Sequence, residues 1–539
     1  MELTDPSHSY YHPGEPDMPL NSYAFIFMFL PVSLLGYYSL RRFRAQRLST
    51  AWLVASSVVL YGWFNPLYLA LMAGSISFNY ALGAAISGST RMGQRKSLLA
   101  LAIAVNLLCL GYFKYANFFV ENVNAVFGSD FNLNRIILPL AISFFTIQQI
   151  AFLVDRYRGQ IGRTDFLDYC FFVTFFPKLI AGPIVRYGEM FPRQDGGVDV
   201  WLKRDDLVVG LSMFFIGLFK KVIIADGLAS YVNLVFGATG LGSGPTLIVS
   251  WVGAVAFALQ LYFDFSGYSD MAIGLGMMFG VRLPMNFHSP YKAIDAVDFW
   301  RRWHITLSRF LRDYVYIPLG GNRKGPVRRN INLMLTMLVG GLWHGAGWTF
   351  IMWGALHGLY LVISHAWRGL QGSLGWKAGA GPRPLTAATI LVTFVAVTIA
   401  WVFFRADSVH AATAILRGMF GLNGVAPPVE LSLLLGPLKE VLHSIGFALT
   451  SLGIAFPQWG VTILWISLLL MLCWFGPNSQ EFMANYRPTL DTFDGQPAQS
   501  SRTRLRWSPN VLGAIVMAAI TVLAIIGLTQ VSSFIYSQF

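Results

Sequence analysis

Apolar positions along this chain come in long blocks rather than short alternations. The first block, residues 21–40, ends at Arg41-Arg42-Phe43-Arg44-Ala45-Gln46-Arg47. Blocks 51–73 and 74–87 follow as a helix pair that returns at Arg91, Arg95 and Lys96. Block 97–119 leads to a loop over 121–134 without Lys or Arg, and 136–154 runs on to Arg156, Arg158 and Arg163. About 20 apolar residues at 1.5 Å rise are needed to cross hydrocarbon. Later stretches at 207–225, 246–263, 332–342, 348–364, 386–404, 461–475 and 511–529 are apolar, but several are too short to cross. Residues 166–184 are interrupted by Pro177, Lys178, Gly182 and Pro183. Broken helices persist at membrane depth only where they pack within protein or line a wet cavity. The pattern predicts an all-α polytopic membrane protein with about ten or more transmembrane helices, its re-entrant or broken helices arranged around a central tunnel. Within 405–459, residues 421–428 read as loop and 429–456 as an interfacial segment.

Composition agrees. Of 539 residues, 12% are charged and 55% hydrophobic, against roughly 25% charged in soluble proteins. Disordered, collagen-like and disulfide-rich classes are excluded. Cys109, Cys170 and Cys473 sit in apolar stretches without disulfide or zinc spacing, which makes them small hydrophobes and leaves no metal site to expect. Residues 1–20 hold Glu2, Asp5, Glu15, Asp17 and four prolines but no Lys or Arg. A secretory signal needs a basic start, so 1–20 reads as an acidic irregular tail before a single transmembrane domain over 21–539. The net charge is +13, and residues 281–330 supply +7 of it with ten Lys or Arg against three Asp. Positive charge collects on the cytoplasmic side, so the N-terminus is expected outside and 41–47 and 281–330 inside.

Three tracts carry candidate chemistry. In Asp298-Phe-Trp-Arg-Arg-Trp-His-Ile-Thr-Leu-Ser-Arg-Phe-Leu-Arg-Asp-Tyr-Val-Tyr-Ile-Pro318, three- and four-residue spacing of Trp300, Trp303, Leu307, Phe310 or Leu311, and Tyr314 predicts one amphipathic helix capped by Asp298. It either lies on the inner leaflet against acidic headgroups or walls a phosphorylated substrate with guanidinium groups. In Gly340-Gly341-Leu342-Trp343-His344-Gly345-Ala346-Gly347, the glycines permit a bend or close backbone approach and leave His344 near membrane depth. An ionisable group there is costly and marks function or a hydrogen-bonded packing role. An unbroken helix would hold His357 about 20 Å from His344. In Gln260-Leu-Tyr-Phe-Asp-Phe-Ser-Gly-Tyr-Ser-Asp270, Gln260 and Asp264 share a face. Asp264 and Asp270 call for partners such as Lys220 or Lys221, or form a proton path. Gly-x-Ser-x-Gly, a Walker loop and His-Glu-x-x-His are absent.

Residues 298–323 and 340–357 together resemble the signature of the membrane-bound O-acyltransferase family, in its bacterial alginate O-acetylation branch. The tracts 176–184, 260–270, 311–323 and 534–539 extend the likeness over most of the chain; the acidic tail and Ser537 depart from it. The resemblance implies acyl transfer from cytoplasmic acetyl-CoA, as donor substrate with no bound cofactor, to an exported polysaccharide of alginate or cellulose type. It implies a bacterial inner membrane, membrane lipids, a periplasmic acetyl-transfer partner and no nucleic acid. It matches His344 to the family's histidine and His304 to its second polar position. Imidazole suits the base role, so His344 is the candidate general base, while His304 orients it or polarises the thioester. A covalent acyl-enzyme stays open. Arg302, Arg309, Arg312, Arg323 and Lys324 are candidates for coenzyme A phosphates, and Trp303, Ser308, Asn322, Trp343, Gln260 and Asp264 for other substrate contacts. The rival readings are a proton-coupled transporter and an acyltransferase for a lipid or teichoic acid-like acceptor.

Overall fold

The computed structural model describes residues 19–133, 136–191, 204–238, 244–375, 383–425, 459–490, 505–528 and 534–535. The expected tail, apart from Pro19 and Leu20, and the expected interfacial segment 429–456 lie outside them. The described chain is helical and divides into two compact units.

The first unit comprises Met1–Val222, Tyr268–Pro284 and Val516–Phe539. A π-helical turn, Phe25–Phe29, leads into α1 (Leu30–Arg42), followed by α2 (Gln46–Phe64), α3 (Pro66–Gly88) and α4 (Met92–Leu110). The break between α2 and α3 falls at Asn65-Pro66, about two turns before the expected boundary at 73–74. Pro66 fills the first helical turn and Asn65 accepts the Leu67 N–H at 2.9 Å, the two devices that start a helix. A π turn, Gly111–Tyr115, joins α4 to α5 (Ala116–Phe127), so helix occupies the first half of the expected loop. It stops at Gly128, whose φ of +62° suits glycine. α6 (Ile142–Tyr157), α7 (Phe166–Thr174), α8 (Phe176–Leu179), α9 (Tyr187–Met190) and α10 (Arg204–Phe219) follow. The interruption expected in 166–184 is the break at Phe175.

Polar pairs tie these helices where hydrocarbon offers no competing water. Asn79 and Asn106 exchange amide hydrogen bonds at 3.2 and 2.6 Å. Gln149 donates to Ser75 (2.9 Å), Tyr169 to Gln149 (3.0 Å) and the buried Lys178 to Gln148 (2.6 Å). Lys220 and Asp270 form the expected ion pair at 2.6 Å. Such contacts are worth about 0.6–2 kcal/mol each between membrane helices.

The second unit comprises Ile223–Gly267 and Met285–Ile515. It holds α11 (Asp226–Gly237), most of α12 (Leu247–Met278), α13 (Ala296–Arg302), α14 (Ile305–Leu311), α15 (Gly325–His344), α16 (Trp348–Ser373), α17 (Arg383–Arg405) and α18 (Val409–Met419). The single amphipathic helix expected from Asp298 to Pro318 is instead broken. Asp295, not Asp298, caps α13 by accepting the Asp298 N–H at 2.8 Å. The helix stops at Trp303-His304, where His304 takes φ +41° and ψ +53°. Left-handed backbone at a bulky residue costs of order 1–3 kcal/mol and persists only when its surroundings impose it.

α15 and α16 form a tight hairpin turned by Gly345-Ala346-Gly347. Gly341, Gly354 and Gly358 line their contact: a Cβ at 354 would lie 2.5 Å from the Met337 carbonyl oxygen, and one at 358 would lie 2.7 Å from Met334 Sδ.

Among the described residues, six helices are long and apolar enough to cross a bilayer: Pro66–Gly88, Met92–Phe127, Asp205–Gly237, Leu247–Met278, Trp348–Ser373 and Pro384–Arg405. Trp459–Phe475 and Val511–Gly527 are shorter apolar helices. Their exposed Leu464, Met471, Leu512 and Ile515 are what a lipid-facing surface requires. The protein is an all-α, multi-pass membrane protein.

Candidate active site

The candidate site lies wholly within the second unit. His344 is the last residue of α15, set there because the glycine turn ends the helix directly after it. Its ring meets Trp353 edge-on at 4.8 Å, Phe404 of α17 at 5.2 Å and Trp343 at 5.0 Å. His304 occupies the strained link between α13 and α14. Its ring stands edge-on to Phe265 at 4.7 Å and 6.1 Å from the ring of Trp343. The indole of Trp343 therefore neighbours both imidazoles, and both are buried.

His304 is held by polar contacts as well. Its Nδ1 lies 3.0 Å from Asn286 Oδ1, which also accepts the Thr306 hydroxyl at 2.9 Å. The Asn286 carbonyl accepts the Ile305 N–H at 2.9 Å, and the Arg302 carbonyl accepts the His288 N–H at 2.9 Å. These two backbone bonds clamp the link against residues 286–288. Burial pushes the His304 pKa down to about 3, so the ring is neutral at physiological pH.

His357 is nearer to the site than an unbroken helix allows. The hairpin folds α16 back along α15, and Trp353 contacts both His357 (4.7 Å) and His344 (4.8 Å). His357 Nδ1 accepts the Trp300 indole N–H at 3.3 Å. It thus buttresses the ring on which His344 rests.

The other sequence-marked residues separate into two groups. Trp303 is core, packed on Trp401 at 4.8 Å and Phe287 at 5.0 Å. Gln260 and Asp264 are buried on α12. Arg302 pairs with Asp298 at 2.9 Å and donates to the His288 carbonyl at 3.3 Å, roles that brace the clamp. Ser308 and Arg309 are half-buried on α14. Arg312, paired with Asp313 at 2.8 Å, is exposed together with Asn322, Arg323 and Lys324. The structure therefore places His304, Trp343 and His344 together, whereas Asn322, Arg323 and Lys324 are surface residues on the turn before α15.

Sequence reasoning passed over Asn286, Trp353 and Phe404. Trp353 and Phe404 carry no signal beyond apolar periodicity. Asn286 carries a faint one, as a polar residue in the short connector between Pro284 and Pro290. Among the described residues no group of three or more His, Cys, Asp or Glu is arranged to hold a metal.

Two buried imidazoles about one indole, in a multi-pass helical membrane protein, make up this candidate site. The chain belongs to MBOAT, the membrane-bound O-acyltransferase family, whose profile matches residues 133–406. It is 45% identical to a peptidoglycan O-acetyltransferase of Helicobacter pylori over 437 residues, covering 75% of this chain and 80% of the relative. It is 37% identical to a probable alginate O-acetylase of Pseudomonas putida, covering 97% of this chain and all of the relative. A teichoic acid D-alanyltransferase of Streptococcus thermophilus is 30% identical, over 49% of this chain and 68% of the relative. The protein is an acyltransferase.

Proposed function

We propose that this enzyme moves acetyl groups from cytoplasmic acetyl-CoA across the bacterial inner membrane for O-acetylation of an exported polysaccharide, with His344 as general base. The burial of both His304 and His344 against one indole, Trp343, with His344 at the end of a helix in a unit built of apolar, membrane-length helices, is the observation that supports this reading. The names of the relatives, two O-acetylating enzymes of extracellular or wall glycans, support the acceptor class. The expected periplasmic acetyl-transfer partner belongs to the same reading.

The chemistry asked of the site is modest. A hydroxyl, or a carrier's nucleophile, must lose its proton as its oxygen attacks the thioester carbon. Neutral imidazole takes that proton and returns it to the thiolate released when the C–S bond breaks. Such assistance is worth roughly 10²–10⁴ in rate. Exposed Arg323 and Lys324 are suited to the phosphates of the donor, as point charges and forked donors at an aqueous boundary.

The test uses purified protein in lipid vesicles with labelled acetyl-CoA and a glycan acceptor. His344→Ala is expected to retain donor binding and lose transfer. Wild-type turnover in that variant removes the base assignment. Thioesters of graded length and an aminoacyl donor, used as competitors, separate an acetyl enzyme from a teichoic acid-type one. Proton flux without any donor would favour the transporter reading.

A further inference from the structure

The clamp on His304 fixes more than a ring position. Asn286 Oδ1 receives the Thr306 hydroxyl at 2.9 Å and the Thr306 backbone N–H at 3.4 Å. A backbone N–H only donates, so the side-chain atom facing it must be the amide oxygen and not its nitrogen. The same oxygen lies 3.0 Å from His304 Nδ1. An amide oxygen only accepts, so Nδ1 must carry the proton. In a neutral imidazole one nitrogen donates and the other accepts. Nε2 is therefore the nitrogen with the lone pair.

We propose that Asn286 is a positioning residue of the site. By accepting Nδ1–H it holds His304 in the tautomer whose Nε2 is a proton acceptor. The choice has a chemical consequence. A ring that polarises a thioester carbonyl must present an N–H to that oxygen. His304 presents a lone pair, so it serves the nucleophile and not the electrophile: it accepts a hydrogen bond from the attacking hydroxyl and orients it, while His344 removes the proton. The Asn286 backbone adds to the control, since its carbonyl holds Ile305 N–H at 2.9 Å and fixes the left-handed turn that aims the ring. Second-shell partners set histidine tautomers in the same way at metal sites, where their loss costs about 10–100-fold.

This inference rests on the acyl-transfer reading for its role, but not for its first test. That test is ¹⁵N NMR of histidine-labelled, full-length protein in detergent or nanodiscs at pH 7.5, without substrate. His304 is assigned by loss of its signals in His304→Gln. The expected result is a protonated, pyrrole-type Nδ1 and an unprotonated, pyridine-type Nε2; the reverse pattern overturns the proposal. The second test is kinetic. Asn286→Leu is expected to lower kcat by about 10–100-fold with the donor KM unchanged, and the His304 signals should become a mixture of tautomers. Asn286→Asp keeps an acceptor for Nδ1–H and is expected to retain most of kcat. Because a carboxylate favours imidazolium, it also moves the acid limb of the kcat profile to higher pH. Equal loss in the Leu and Asp variants, with both folded by thermal melt, overturns the positioning role. If wild-type protein transfers no acyl group while the tautomer is as described, the reaction assignment fails and the Asn286 geometry stands.

Discussion

The α15–α16 hairpin offers a quantitative test, because one substitution can be made at three glycines of the same helix with three different surroundings. A methyl at Gly354 would lie 2.5 Å from the Met337 carbonyl oxygen and 3.3 Å from Leu338 Cα. Both are backbone atoms, and ordinary contact begins near 3.4 Å. The two helices must therefore part by nearly an ångström. Overpacking of this kind costs about 1–3 kcal/mol, against a helix-propensity gain of about 1 kcal/mol for replacing glycine with alanine. A methyl at Gly358 meets mainly Met334 Sδ at 2.7 Å, the end of a flexible side chain, with Met334 Cα at 3.2 Å. Gly369 has nothing within 4 Å, so there only the propensity gain remains. Thermal melts of the purified protein in detergent should rank Gly369→Ala at or above wild type, Gly358→Ala near it, and Gly354→Ala lowest. Activity should fall further than stability at Gly354, because parting the helices moves Trp353 away from His344. A misplacement of about 1 Å can cost roughly 10²-fold in rate. If Gly354→Ala melts with Gly369→Ala and turns over normally, the hairpin does not set the position of His344.

Other expectations follow from the site. His304 has its pKa lowered from 6.5 to about 3 by burial. Its contribution to stability is thus complete above pH 6.5 and is lost as pH falls toward 3, because the unfolded chain binds the proton that the folded chain refuses. By pH 5 the loss is about 2 kcal/mol; the melting temperature between pH 7.5 and 5 should fall less steeply in His304→Gln than in wild type, and parallel slopes would contradict the burial argument. Replacing exposed Arg323 and Lys324 together with alanine should raise the donor KM, more so at low salt, and leave kcat and melting temperature unchanged. Arg302→Ala should do the opposite, lowering the melting temperature by releasing Asp298 and the His288 carbonyl, with donor KM unaffected; a raised KM in that variant would return Arg302 to the donor site.

Much of this arrangement was legible in local pattern. The apolar blocks marked most helices, Pro177 and Gly182 marked a broken one, and the glycines around His344 marked the turn that carries it. The failures share a cause. The chain breaks at His304 without glycine or proline to signal it, because the left-handed turn is imposed by hydrogen bonds to Asn286, eighteen residues earlier. Spacing along one helix likewise could not bring His357 near His344, since their proximity depends on two helices packing glycine to backbone. Charge density also did not separate Arg302, which pairs with Asp298, from the exposed Arg323 and Lys324.

The mutual amide pair of Asn79 and Asn106 has a bearing on how two spans are set against each other. Slippage of α3 against α4 by one helical turn, about 5.4 Å, would leave each carboxamide only its own-helix bond, Asn79 to the Ser75 carbonyl at 2.9 Å and Asn106 to the Ala102 carbonyl at 2.8 Å, and would strip the partner from both amide oxygens where no solvent stands ready to replace it. The pair thus works as a latch that favours one vertical alignment of these neighbouring spans.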